Sequence, residues 1–459
     1  MKKQLKFSGA VLIAVLAMVS CETEEDDLLF EDAELKKGGH GIARSYDNGV
    51  VLKWNEAVSL TVDNKMPPPP EAKAYAMVML AIHDALNTVA PRYETYALDN
   101  FRQMSNHFRK GNLREVADAA VSQAAHDVLS KVSPLGAQVA APLLAECLGG
   151  ITDPDALERG VTIGKEAAAA ILSERAGDPP VGFAAYPQGP DPGQYRSPVL
   201  YVNPGPAWPA NAAFGANLGQ LKPFGVKSSS QFRADPPPDL QSPLYAADYN
   251  EVKAFGGEGS TQRTPAQTEM GLFFIDNVAN SINRVLRILA VRQRLDGWET
   301  ARMMALVHMA QFDAVQSSFE GKYHYNRWRP ETAIALGDID GNPQTAGDPG
   351  WIILKGARAT PPTPTYPSTH ASAAGAVAEV LKLYFKRDNI PFSIGSYTLP
   401  GVERSFSGFS QFARECSVSR IYIGYHFRQD IVIGEKMGRK LGQYVYFNNL
   451  RPIYGGGMH

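Results

Sequence analysis

At 459 residues, 44% hydrophobic and 20% charged, the chain has room for two packed units or one large helical domain and is too apolar for a disordered protein. Its net charge of -2 argues against nucleic acid as a main partner, because duplex binders carry a basic excess. A cationic site in such a chain must be local.

The N-terminus reads as a targeting segment. Met1-Lys2-Lys3 is positive, Val11 to Met18 is apolar but too short to span a bilayer, and Met18-Val19-Ser20-Cys21 follows. This resembles the lipobox of a bacterial lipoprotein. The resemblance implies a signal peptide over 1–20, lipidation of Cys21 and export to the outer membrane, cell surface or periplasmic side, with membrane contact only through the lipid. The acidic run Glu22 to Asp27 then begins a flexible tether over 21–47, and it resembles the export signals of surface-displayed lipoproteins. Cys147 and Cys416 fall in helical-looking sequence and are expected to be buried free thiols. No C-x-x-C occurs, so neither a redox motif nor a zinc ribbon is indicated.

Beyond the tether the spacing of apolar residues predicts an N-terminal helical scaffold over 48–176. Its helices are Glu71 to Val89 after the proline run Pro67 to Pro70, Leu113 to Val132, and Pro154 to Ala176. Over 177–240 the composition shifts to Pro, Gly and aromatics (Tyr186, Tyr195, Tyr201, Trp208, Phe214), a long connection expected to cover one side of the molecule. Helices resume over 241–459, at Tyr245 to Phe255, Pro265 to Arg292 with a break inside, Glu299 to Phe319, Pro330 to Leu336, Thr369 to Phe385, Val402 to Cys416 and Phe427 to Phe447. Pro391 to Leu399 reads as a short extended piece. Strands and helices do not alternate, so the expectation is an all-α fold of helical bundles with a catalytic C-terminal region.

Three short patterns in that region concentrate chemistry. Lys322 is followed by Arg329-Pro330; Pro367-Ser368-Thr369-His370 opens a helix of small residues; Ser419-Arg420 precedes His426. Arginine offers forked donors, lysine a point charge, and a helix start offers unpaired N–H groups with a favourable dipole. Those are the needs of an anion with several oxygens. The two histidines add catalysis, since one can bond the central atom while the other moves a proton. Asp430, four residues after His426 on the same helical face, can hold that imidazole in one tautomer.

The three motifs together resemble those of the superfamily joining vanadium-dependent haloperoxidases, type 2 phosphatidic acid phosphatases and bacterial class A acid phosphatases. Trp54-Asn55-Glu56-Ala57, Ala76 to Asn87 with His83-Asp84, Pro236-Pro237-Pro238 running to Tyr245, and Asn326 to Thr332 extend the likeness to the bacterial haloperoxidase-like branch over nearly the whole mature chain. The resemblance implies vanadate as cofactor, with phosphate able to take its place, and hydrogen peroxide, a halide and a small organic acceptor as partners. His426 would then bond the metal. Lys322, Arg329, Arg420, Ser368 and the N–H of Thr369 would neutralise the oxygens, Lys322 would polarise the peroxide, and His370 would accept its proton. The alternative is an acid phosphatase with His426 as nucleophile and His370 as leaving-group acid.

Two positions depart from the family pattern. Thr369 stands where glycine is usual, which predicts loss of a left-handed conformation or a narrower pocket. Thr363 stands where chloride-oxidising members carry an aromatic residue, and Phe319 where they carry tryptophan. Together with His324 as an entrance residue, these form the expected halide pocket, and its polarity favours iodide or bromide over chloride. His83, His126 and His308 read as structural. Gly160 to Lys165 has the wrong spacing for a phosphate loop. A homo-oligomer is left open.

Overall fold

Thirteen helices occur among the described residues, and most begin at a chemical stop signal. The computed structural model describes residues 46–98, 112–197, 209, 211–357 and 359–453; the expected signal peptide, almost all of the expected tether, Tyr201 and Trp208 lie outside them. The first five helices are α1 (Gly49–Val62), α2 (Pro68–Val89), α3 (Leu113–Val132), α4 (Gly136–Gly149) and α5 (Pro154–Glu174). Helix α2 starts inside the proline run, and α5 has Asp153 accepting the N–H groups of Asp155 and Ala156 ahead of Pro154.

Helix α1 was not anticipated, and of α4 only the helical-looking sequence around Cys147 was, without bounds. Trp54 is buried in α1 and donates to Ser122, while Pro142 interrupts the sequence signal within α4. Tyr46, at the edge of the expected tether, is docked: its ring meets Trp298 edge-on and its hydroxyl donates to Asp118. Gly160 and Gly164 place α5 against α3, since a Cβ at Gly160 would lie 2.4 Å from the Ala119 Cβ. Close packing, not phosphate, accounts for those glycines.

The 177–240 stretch carries a two-stranded antiparallel pair, β1 (Phe183–Ala185) with β2 (Ala212–Phe214). Beyond it the chain is pinned by the buried carboxylate of Asp313, which accepts the N–H groups of Phe224, Gly225 and Val226. The later helices are α6 (Pro243–Gly256), α7 (Pro265–Phe273), α8 (Val278–Arg292), α9 (Gly297–Tyr325), α10 (Pro330–Ala335), α11 (Thr369–Phe385), α12 (Phe409–Tyr422) and α13 (Arg428–Asn448). The break expected within 265–292 falls at residues 274–277. Helix α9 starts on a capping box of Asp296 and Glu299, is buried along most of its length and stops at Asn326 in the left-handed conformation, φ 49°. The expected helix over 402–416 is half wrong. Its start is β4 (Glu403–Phe406), paired antiparallel with β3 (Phe392–Gly395) inside the expected extended piece; alternation of side chains at 402–406 suits a strand, and the helix begins only after Gly408.

Helices α11 and α13 lie closer than ordinary side chains allow. Gly434, Gly438 and Gly442 of α13 face Ser368, Ser372 and Ala376 at the same four-residue spacing. A Cβ at Gly438 would sit 1.9 Å from the Ser372 carbonyl oxygen, and one at Gly442 2.3 Å from that of Ala376. Cys416 is buried and free, as expected, whereas free Cys147 is only half-buried. No described helix is long and apolar enough to cross a membrane.

Under the bundle runs a buried polar network. Asn283 bonds Asn55 and its Oδ1 accepts from Nε2 of His308, whose other ring nitrogen lies 3.1 Å from Gln311 Oε1. Tyr75 stacks on His308 at 4.7 Å and donates to Asp63. Burial, then the charge of Asp63, pushes the nearby Glu71 carboxyl up to about 9, and burial pushes His83 and His308 down to about 4. Between about 4.3, its unfolded value, and about 9 the folded chain binds the Glu71 proton more tightly, so stability falls as pH rises across that window. The histidines act oppositely, withdrawing stability as pH falls from about 6.5 toward about 4.

Two outcomes follow. Melting temperature against pH should peak near mildly acidic pH, and Glu71→Gln should flatten the alkaline limb; an unchanged limb would refute the assignment. Gly438→Ala should destabilise by about 1–3 kcal/mol through overpacking, overriding the ~1 kcal/mol helix preference for alanine, while Gly149→Ala, with nothing within 4 Å, should not. Chemical denaturation of both variants checks this.

Candidate active site

The site forms where the end of α9, the segment 363–370 and the α12–α13 turn meet. Gly321 lets Pro367 rest on α9, since a Cβ there would lie 2.9 Å from the Pro367 Cδ. Beside it Lys322, 1% exposed, donates to the carbonyl oxygens of Pro364, Thr365 and Pro367 at 3.0, 2.8 and 2.7 Å. Burial and the Arg329 charge push its pKa well down while Asp430 pulls it up. Three acceptors at those distances require three N–H bonds, so the geometry favours the ammonium. It therefore supplies charge, with all its donors engaged by backbone.

Arg329 precedes α10 with its planar fork fully directed. Its Nε and Nη2 donate to the carbonyl and hydroxyl oxygens of Thr363, both at 2.8 Å, and Nη1 donates to the Tyr425 carbonyl at 3.0 Å. Nη1 also lies 3.2 Å from His426 Nε2. A guanidinium can only donate, so Nε2 is the acceptor and the imidazole proton sits on Nδ1. Nδ1 in turn lies 3.0 Å from Asp430 Oδ2 and 3.1 Å from the Thr365 hydroxyl. Asp430 Oδ2 also accepts from the Thr365 hydroxyl at 2.5 Å and the Phe427 N–H at 3.1 Å. Burial raises the Asp430 carboxyl pKa, opposed by Thr365, Lys322, the Phe427 N–H and Arg329. The expected His426–Asp430 pairing is thus present, with Thr365 as a partner the sequence reading did not include.

Ser368 caps α11, and its backbone N–H donates to the Asp430 carbonyl oxygen at 2.9 Å, joining the second motif to the third. Thr369 is the first helical residue. It is not among the residues with positive φ, and its hydroxyl accepts from Ser318 at 2.8 Å. The left-handed conformation is absent at this position, as expected of threonine in place of glycine. His370 follows, partly exposed as a residue and hydrogen-bonded to the Asp276 backbone, while its Nε2 is buried without a partner. Arg420, in the last turn of α12, is buried; Nη1 donates to the Phe274 carbonyl and Nε has no partner. Gly424, φ +79°, makes the turn to His426, and a Cβ there would meet Trp351 at 2.8 Å.

Electrostatics tie these groups into one cluster. Burial pushes the pKa of both His370 and His426 well down, and Lys322, Arg329 and Arg420 add to the effect at each. Burial also lowers Arg329 to about 10. Three buried cations therefore stand against one carboxylate, with neutral imidazoles between them. Unpartnered buried polar atoms at His370 Nε2 and Arg420 Nε complete the donor and acceptor set of a tetrahedral oxyanion.

The expected halide-pocket residues separate. Thr363 holds Arg329 through two oxygens. Phe319 is buried against Gly215, whose Cβ would lie 2.8 Å from its ring, and against Tyr323. His324 is exposed with its ring edge-on to Tyr325; two residues from Lys322, it projects from another side of the helix. The wrapping segment reaches the site, for Tyr195 donates its N–H to the Asn326 carbonyl and Tyr366 its hydroxyl to that of Asp235. His83 meets the Glu94 carbonyl and His126 meets Asp127, both structural contacts.

Residues 302–455 match the family described as the VCPO second helical-bundle domain. The vanadium chloroperoxidase of Curvularia inaequalis is 27% identical over 489 aligned positions, covering 84% of this chain and 79% of that protein. A bacterial vanadium-dependent iodoperoxidase structure superposes with a TM-score of 0.68 at 22% identity, covering 89% of this chain and 97% of that one. An apo-type bacterial vanadium-dependent chloroperoxidase gives 0.67 at 18% identity, covering 88% and 97%. Residues 302–455 thus match the second helical-bundle domain of that family, and the helical fold is that of the vanadium haloperoxidases.

Proposed function

We propose that this site binds vanadate and uses hydrogen peroxide to oxidise a halide to hypohalous acid, with iodide or bromide preferred to chloride. The observation that carries the reading is the buried excess of positive charge, three cations with one carboxylate, around a neutral His426 Nε2. Such a charge distribution is costly without an anion. His426 Nε2 would bond the central atom. Arg329, Arg420, the Ser368 hydroxyl and the Thr369 N–H would hold the oxygens, and Lys322 would add charge from behind. When bound, vanadate supplies Lewis acidity toward peroxide without a change of oxidation state.

The chain's own groups do the positioning and proton work. Asp430 keeps the His426 proton on Nδ1, which leaves the Nε2 lone pair for bonding. Arg329 must yield that lone pair to the ligand while Thr363 keeps the guanidinium in place. His370, neutral and anchored to the Asp276 backbone, turns a basic Nε2 toward the site and can hold the peroxide proton. The halide preference rests on Thr363, where a hydroxyl engaged with Arg329 stands in place of an aromatic ring. One similar solved structure is described as an iodoperoxidase and others as chloroperoxidases.

The test is to load the apo-protein with vanadate and measure iodide, bromide and chloride oxidation by peroxide beside hydrolysis of an aryl phosphate. Vanadate-dependent turnover of iodide or bromide, exceeding that of chloride, is expected; phosphatase activity with no halide turnover would overturn the reading in favour of the acid phosphatase. His426→Ala should abolish turnover. His370→Ala should cut it by about 100-fold or more while sparing orthovanadate affinity measured by calorimetry, and full turnover in that variant would refute the proton role.

A further inference from the structure

Thr365 is fully buried, and both its main chain and its side chain are committed to the site. Its N–H donates to the Arg327 carbonyl at 2.9 Å and its own carbonyl accepts from Lys322 at 2.8 Å, which fixes it to the segment after α9. Its hydroxyl reaches the other way, 2.5 Å from Asp430 Oδ2 and 3.1 Å from His426 Nδ1. Asp430 is acceptor-only when ionised, so the hydroxyl proton points at the carboxylate and the oxygen lone pairs face the His426 Nδ1–H. That N–H is therefore shared between Asp430 and Thr365, and the ring is braced by oxygens from two different segments.

We infer that Thr365 is a positioning residue that locks His426 in the Nδ1–H tautomer and aims its Nε2 at the bound oxyanion. Asp430 alone would leave the ring one brace short, because it lies only four residues along the chain from the histidine it orients. Thr365 supplies a reference point on the lysine motif, so the nitrogen is placed relative to Lys322 and Arg329 as well as to the start of α13. Replacing the hydroxyl by a methyl group would also leave a buried carboxylate short of a charge-assisted donor. The inference rests on His426 being the anion-bonding residue.

The experiment titrates apo-protein with orthovanadate by calorimetry in wild type, Thr365→Val and Thr365→Ser, and records ring-nitrogen NMR of 15N-histidine-labelled samples. The valine variant should bind about 10–100-fold more weakly, as loss of an outer hydrogen bond to a ligand histidine does, and should lose the single Nδ1-protonated His426 signature. Serine should restore both. Wild-type affinity together with an unchanged tautomer in the valine variant would overturn the inference. Wild type failing to bind orthovanadate would overturn the oxyanion assignment instead, and the tautomer comparison would still decide on Thr365. Should the valine variant not fold, Thr365→Ala measured against the serine variant gives the same two outcomes.

Discussion

The carboxylate of Asp430 lets three cations be buried together at a point where helices α9, α11 and α13 meet. It accepts from Thr365, His426 and the Phe427 N–H, and its backbone carbonyl accepts from Ser368. The second and third motifs thereby touch the same residue, and the first reaches it through Thr365, whose carbonyl accepts from Lys322. A carboxylate so far out of water would ordinarily tend to take up a proton, and the donors around it with Lys322 and Arg329 hold that tendency back. The partial compensation matters: enough negative charge to assemble the cluster, too little to neutralise it.

Helix packing brings the parts within reach. The glycines of α13 let α11 approach until Ser368 and Asp430 share a backbone hydrogen bond. The N-terminal helices contribute no site residue. Their role is to bury α9, whose last turn carries Lys322, and to do so with a polar network around Asn283 and His308.

The site was legible in the sequence because Lys, Arg and His are seldom brought together in a near-neutral chain, and their order carried the family resemblance. Its supporting chemistry was less legible. Threonine at 365 is a common residue in a proline-rich stretch, and nothing local shows that its hydroxyl meets a residue 65 positions away. The Gly434, Gly438, Gly442 stripe was there to be read at helical spacing, but a stripe names no partner until the facing Ser368, Ser372 and Ala376 are known. Thr363 was read for polarity alone, and its grip on Arg329 depends on a loop whose path local pattern does not determine. Secondary structure failed where local signals conflicted: Pro142 obscured the bounds of α4, and apolar residues over 402–416 mixed a strand period with a helical one. Thr369, read for a lost left-handed conformation or a narrower pocket, sits in ordinary helical backbone.

The contact between Arg329 Nη1 and His426 Nε2 changes what binding means here. The imidazole lone pair faces a guanidinium N–H, so a ligand bonding Nε2 would exchange with an arginine rather than add to a bare nitrogen. An anion bound as proposed would displace the arginine from the nitrogen and recruit the same arginine to its own oxygens. Affinity is then a difference between two bonding arrangements of one guanidinium, and a ligand lacking the oxygens to re-engage it would leave the histidine masked. Selectivity for oxyanions would then reside in that exchange, ahead of any fit of shape.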